Sequence, residues 1–156
     1  MKFEGASYTR RGVLWATLAS AAIPRLAFGQ SPTNESGEAM MQVRCTFADQ
    51  DFTATLYDNP SARDFASMLP LDLAISDFSD NEKIAYLPRK LDEEARGPFP
   101  DAAPGDLCYY IPWGNLAFFY GNYRSTSDLI RLGRLDGGIE PLLTRGEFPL
   151  RIEPIR

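Results

Sequence analysis

The run from Gly105 to Tyr120, GDLCYYIPWGNLAFFY, constrains this chain most. It reads as two short strands joined by a Pro112-Trp113-Gly114-Asn115 turn. Alternation puts Tyr109 and Tyr110 on opposite faces, and likewise Phe118 and Phe119. Half of these rings should fill a core, and half should face outward, under a helix or in a groove. Two strands that are apolar on both faces belong in the middle of a larger sheet, and the remaining sequence has to supply it.

It supplies many short elements. Met41 to Ala48 alternates, with Met41, Val43, Cys45 and Phe47 on one side, and Phe52 to Tyr57 alternates after a turn at Asp49-Gln50-Asp51. Asn59-Pro60 starts a helix of about ten residues, with Asn59 as cap and Pro60 at the first position, where its missing N–H costs nothing. Ala62, Phe65, Ala66 and Leu69 follow at helical spacing, and Pro70 ends the element. Leu71 to Phe78 and Glu82 to Leu87 read as strands around a Ser79-Asp80-Asn81 turn. Residues 89–104 are charged and then Pro-rich, a long surface loop with at most one helical turn at Leu91–Ala95. Asp128 to Leu135 and Phe148 to Ile152 complete the count, separated by the turn signal Asp136-Gly137-Gly138. About eight short strands and one or two short helices leave no long crossover helices for a parallel sheet. The expected class is mainly β, an antiparallel eight-stranded sheet closed into a barrel that removes exposed edges.

The N-terminus reads differently. Arg10-Arg11 precedes an apolar run from Val13 to Ile23, then Pro24-Arg25 and the small-x-small site Ala27-Phe28-Gly29. The run is too short for a stable membrane anchor across roughly 30 Å. The paired arginines resemble a twin-arginine signal, and Arg25 close to the cleavage site favours that pathway over an ordinary secretory signal. Either reading predicts cleavage near Gly29–Gln30 and a periplasmic or secreted product, with the export machinery as partner. No cysteine lies at that site for lipid attachment. The expected organisation is a signal peptide over 1–29, a disordered polar tether over 30–40, and one domain over 41–156.

Charge and composition exclude several functions. The net charge is −5; removing 1–29, with four basic side chains and one glutamate, leaves −8. Such a domain repels phosphate backbones and anionic membranes, so nucleic acid is not an expected partner. The chain has no histidine, which removes Ser-His-Asp and Cys-His chemistry and leaves a poor ligand set for zinc. Neither a metal nor another cofactor is expected, and no catalytic residue is assigned. Cys45 and Cys108 either pair in an oxidising compartment or stay buried as free thiols on separate strands; burial is the favoured reading.

Taken in order, Asp58-Asn59-Pro60-Ser61-Ala62-Arg63-Asp64-Phe65, Leu69-Pro70-Leu71, Glu82-Lys83-Ile84-Ala85-Tyr86-Leu87-Pro88, Gly105-Asp106-Leu107, Tyr109 to Leu116, Phe118-Phe119-Tyr120 and Leu129 to Gly133 resemble the small bacterial and archaeal cyclophilin-like proteins. The resemblance spans roughly Met41 to Ile152. It implies a closed eight-stranded barrel with helices over its ends. True cyclophilins are peptidyl-prolyl cis–trans isomerases whose catalytic strand carries Phe-His-Arg; this chain has neither that motif nor any histidine.

The candidate ligand contacts are Trp113, Asn115, Tyr110, Phe119, Phe65, Arg63 and Glu82. Trp113 either offers its indole at a groove or, the favoured reading, caps the barrel end, with Gly114 and Asn115 supplying positive φ. Glu82 is either a general base or ligand contact helped by Lys83, or half of a solvated turn pair, the favoured reading. Arg63 either holds a carboxylate or, the favoured reading, pairs with Asp58, Asp64 or Glu82 or lies in water. Asp92, Glu93 and Glu94 lack calcium-loop spacing and read as a solvated loop. The leading expectation is an exported domain binding a peptide or small apolar ligand in an aromatic groove. The alternatives are a weak prolyl isomerase and a structural partner of another exported protein.

Overall fold

The structure, a computed structural model, describes residues 41–156; the expected signal peptide and tether lie outside the described residues. Eight antiparallel strands form the wall: β1 (Gln42–Phe47), β2 (Gln50–Leu56), β3 (Leu71–Phe78), β4 (Glu82–Tyr86), β5 (Asp106–Tyr110), β6 (Asn115–Phe119), β7 (Leu129–Leu135) and β8 (Phe148–Pro154). Their order around the closed barrel is β1-β2-β7-β5-β6-β4-β3-β8. Closure pairs every strand on both edges, so no ladder is left open to another chain.

One helix, α1 (Pro60–Ser67), follows β2 and is capped as its sequence dictates: the Asn59 side chain accepts from the Ala62 amide at 2.8 Å. Its Phe65 and Ala62 are buried in the barrel core together with Leu91 from the long loop. Leu91 is held there by its amide donating to the Tyr109 hydroxyl at 3.3 Å. A 3-10 helical turn, Glu140–Leu143, buries Leu142 in the same core. Strand alternation fills the interior with Val43, Cys45, Phe47, Phe52, Leu107, Tyr109, Leu116, Phe118, Ile130 and Leu132.

The wall has an irregularity that only glycine tolerates. Between β5 and β7 the register shifts, Leu107 facing Gly133 while Cys108 faces Arg131. A Cβ at Gly133 would overlap the Thr55 carbonyl oxygen and the Leu56 backbone of β2.

Strands β5 and β6 are buried on both faces. Outside the barrel, Cys108, Ala117, Phe119 and Leu129 form a second cluster with Phe99, Tyr110 and Tyr123. The 89–104 segment is therefore more than a surface loop; it packs on the outer wall without a helical turn at Leu91–Ala95. Arg131 fastens it, its guanidinium lying over Phe99 and hydrogen-bonding Asp101 at 2.9 Å. Arg89 fastens the start of the loop to α1 through a two-pronged bond to Asp64 at 2.7 and 2.9 Å.

Candidate functional site

The loops cover the outer face of β5 and β7 but leave part of β4 and β6 open. Pairing sets Glu82 opposite Phe119, Ile84 opposite Ala117 and Tyr86 opposite Asn115. Cross-strand partners share a face. This row faces outward, while Lys83 and Phe118, also opposite each other, face the barrel interior. Above the open face lies a cleft of about 550 Å³. Glu82, Ile84, Asn115 and Phe119 line it from the sheet; Phe78, Asn81, Tyr110, Trp113 and the segment Tyr123–Leu129 contribute the rest. That volume falls in the range of small-molecule sites, roughly 300–1,000 Å³.

The aromatic wall follows from a tight turn. The Gly114 amide donates to the Tyr110 carbonyl at 2.9 Å, and Gly114 takes a positive φ of 70°. Gly114 alone supplies positive φ here; Asn115, expected to share it, is the first residue of β6. The turn holds Trp113 outside the barrel, 48% exposed. Its ring meets Phe78 and Tyr110 edge-on, with centroids 5.2 and 5.4 Å away. Ile111, not Trp113, joins the barrel core.

The opposite side of the cleft is anchored from below. Tyr123 stacks flat on Phe119 at 3.6 Å, and its hydroxyl donates to Asp106 Oδ2 at 2.6 Å. Asp106 is fully buried; its Oδ1 faces Arg134 Nε at 3.1 Å, so that oxygen, although without a hydrogen bond, is ion-paired. Burial, then the neighbouring Cys108 and Asp106, push the Tyr123 phenol far above its usual range. Tyr123 is thus a fixed neutral donor, already committed to Asp106.

On the β4 and β6 floor of the cleft, Glu82 and Asn115 each carry a polar atom without a partner among the described residues. Glu82 is half-buried, and no cation or hydrogen-bond donor of the described residues reaches its carboxylate. Burial alone pushes its pKa up to about 7. Asn115 is 1% exposed; its Nδ2 donates to the Leu116 carbonyl at 2.9 Å, while its Oδ1 has no partner. A buried unpaired acceptor costs about 1–3 kcal/mol until a donor arrives.

The reading of Glu82-Lys83 as a solvated pair is overturned, and so is that of Lys83 as a helper of Glu82. Successive strand residues face opposite ways, so the two never meet. Lys83 is fully buried, 2.8 Å from Asp77 Oδ1. Burial works to raise the pKa of Asp77, but bonds from Lys83 and the Gly146 amide outweigh it and hold the carboxyl below the usual range.

Of the residues singled out from sequence, Tyr110, Trp113, Asn115, Phe119 and Glu82 line the one cleft. Phe65 and Arg63 do not: Phe65 is fully buried in the core and Arg63 is exposed and ion-paired with Asp58. Sequence reasoning missed Phe78, Asn81, Tyr123, Arg124, Thr126 and Asp128. Tyr123, an aromatic inside a polar turn, was the one local signal for that segment.

Cys45 and Cys108 are both free and buried. Cys45 points into the barrel, and Cys108 belongs to the outer cluster. Two strands separate β1 from β5, about 14 Å of sheet, twice the reach of a disulfide. Burial pushes each thiol up to about 12, so neither is a ready nucleophile. Among the described residues no group of three carboxylate or thiol side chains could hold a metal ion.

Comparison with known proteins adds the family. A model of the cyclophilin-like family matches residues 45–153. The solution structure of a hypothetical protein from Archaeoglobus fulgidus shares the fold with a TM-score of 0.54 at 18% identity, over 73% of this chain and 94% of that one. No curated protein matches. The match runs from within β1 to within β8 and so takes in every strand of the closed barrel: the chain belongs to the cyclophilin-like family.

Proposed function

We propose that this domain is a binding module that holds a peptide or small apolar ligand in the cleft beside Trp113. The observation that carries the reading is the half-exposed Trp113 ring, set edge-on between Phe78 and Tyr110 at the cleft mouth. Large exposed rings that leave a concave apolar surface uncovered are characteristic of recognition sites. The cleft lining offers carboxylates and amides but pairs no nucleophile with a base, which favours binding over covalent catalysis. The test is an NMR titration of the 41–156 domain with proline-containing peptides and small aromatic metabolites. Shifts confined to the cleft lining, lost in Trp113→Ala, are the expected result. Absence of binding across the whole panel overturns the reading.

Arg124 in the cleft favours a second reading, a weak prolyl isomerase, because a guanidinium there can polarise an X–Pro carbonyl. A coupled proline-peptide assay separates it: turnover lost in Arg124→Ala would replace binding with catalysis. We also place the module outside the cytoplasm, on the strength of Arg10-Arg11 and the apolar run that follows. Recovery of chains beginning near Gln30 from a periplasmic extract, blocked by Arg10→Lys with Arg11→Lys, is the expected result.

A further inference from the structure

Three lining residues stand side by side across the floor of the cleft. Pairing sets Phe78 opposite Glu82 on one side and Phe119 opposite Glu82 on the other. Cross-strand partners share a face with their Cβ atoms about 5 Å apart, so a phenylalanine flanks Glu82 on each side. Ile84 follows Glu82 on the same face of β4. The carboxyl is thus framed by apolar side chains, and among the described residues no cation or hydrogen-bond donor reaches it. Such a frame disfavours the charged form, and burial raises the pKa to about 7. A carboxyl that keeps its proton offers one O–H donor.

The charges of the cleft narrow what it can accept. Glu82 and Asp128 line it together with Arg124, which is exposed and pairs with no carboxylate among the described residues. Asp128 has Arg96 4.0 Å away. A cation brought to Glu82 meets a guanidinium in the same cleft, and an anion brought to Arg124 meets two carboxylates. An uncharged ligand meets neither opposition. It has to supply an acceptor for the Glu82 O–H and an apolar surface for the Phe78, Trp113 and Tyr110 rings. An amide carbonyl is a neutral acceptor of that kind.

Resting on the binding reading above, we infer that Glu82 selects a small uncharged amide, its carboxyl donating to the ligand carbonyl while the ligand's apolar group lies against Trp113 and Phe78. Ionised, the same carboxylate could only accept, and it would repel the carbonyl oxygen. Binding therefore favours the protonated form, and affinity falls as pH rises through about 7. The other charged or titratable groups around Glu82 are Asp128, Arg124, Tyr110 and Tyr123 in the cleft and Asp80 in the adjoining turn. Asp106 and Cys108 meet the Tyr123 hydroxyl from behind, and Asp77 and Lys83 pair with each other.

The probes are phenylpropanamide, phenylpropylamine and phenylpropanoate, which share a ring and differ only in the charge of the head group. NMR titration of the 41–156 domain at pH 5.5 and pH 8 reads their affinities. The amide should bind tightest at pH 5.5 and weaken about tenfold at pH 8, one unit above the folded pKa. Glu82→Gln keeps an N–H donor in the same place, so it should bind the amide equally at both pH values. That rescue separates Glu82 from every other titrating group. The amine binding tightest would make Glu82 an anionic site, and phenylpropanoate binding tightest would make Arg124 the anchor; either overturns the inference. So does amide binding that ignores pH in the parent chain, or that Glu82→Gln abolishes. Silence from these three probes beside a positive peptide titration overturns this inference alone, and silence from both panels overturns the binding reading as well.

Discussion

Glu82 and Lys83 are neighbours in sequence with opposite fates. Lys83 turns into the barrel, is wholly buried and finds Asp77 at 2.8 Å; Glu82 turns outward, is half-buried and finds no partner among the described residues. The same contrast separates Phe118, packed in the core, from Phe119, stacked on Tyr123 beneath the cleft. One wall of two strands thus has a finished side and an unfinished one. A buried charge with its partner in place serves the fold. One without a partner among the described residues, beside exposed rings, is what the proposed binding site calls for.

The sharpest way to break this contrast is to truncate the two phenylalanines in turn. Phe118→Ala opens a cavity among fully buried neighbours and should cost about 4 kcal/mol. Phe119→Ala removes a ring whose site adjoins an open cleft that water can fill, and should cost about half as much. Urea denaturation of both variants decides it. Equal losses would mean that the outer side is as finished as the inner.

The Asp77–Lys83 pair comes next. Asp77→Asn leaves the Lys83 ammonium buried without its counter-charge and should cost about 3 kcal/mol. Replacing both, Lys83→Met with Asp77→Asn, should restore most of that loss, because an apolar side chain of similar volume suits the barrel interior. A double variant no better than Asp77→Asn alone would show that the ammonium was not the source of the cost.

How legible these fates were in the sequence depends on range. Alternation marked β3 as Leu71–Phe78 and set Tyr109 against Tyr110, since inward and outward residues repeat every second position. Asn59-Pro60 marked the helix start because a cap is local chemistry. The burial of Lys83 was hidden because a charged residue on an inward position looks like a turn until its partner is known. That partner was within reach: a hairpin turning at Ser79-Asp80-Asn81 sets Asp77 opposite Lys83. The short 3-10 turn at Glu140–Leu143 was masked by Gly137-Gly138 and Pro141, which read as loop. The cleft's second side was out of reach. Tyr123 to Asp128 lies some forty residues from Glu82, and only the order in which strands close the barrel brings them together. Arg63 looked functional because it sits in a family-like motif, yet α1 carries it to an exposed ion pair away from the cleft.

Glu82, without a partner among the described residues, gives the contrast a pH signature. Its folded pKa is raised from 4.5 to about 7, so the folded state holds a proton that the unfolded state has released across that window. Glu82 therefore makes stability fall as pH rises from 4.5 to about 7, with no further loss from this group above it. Glu82→Gln should remove this part of the slope, measured by urea midpoints at several pH values. An unchanged slope would mean that the carboxylate is better solvated than its burial implies.

The smallest expected effect on stability belongs to Trp113. Its ring touches Phe78 and Tyr110 edge-on and is otherwise half in water, so Trp113→Ala should cost no more than about 1 kcal/mol. Set beside Phe118→Ala, the variant should melt almost with the parent chain yet lose the cleft shifts in the peptide titration. A loss of several kcal/mol would instead make Trp113 a structural lid over Ile84 and Phe119, and the outer side of the wall would then be finished by the chain itself.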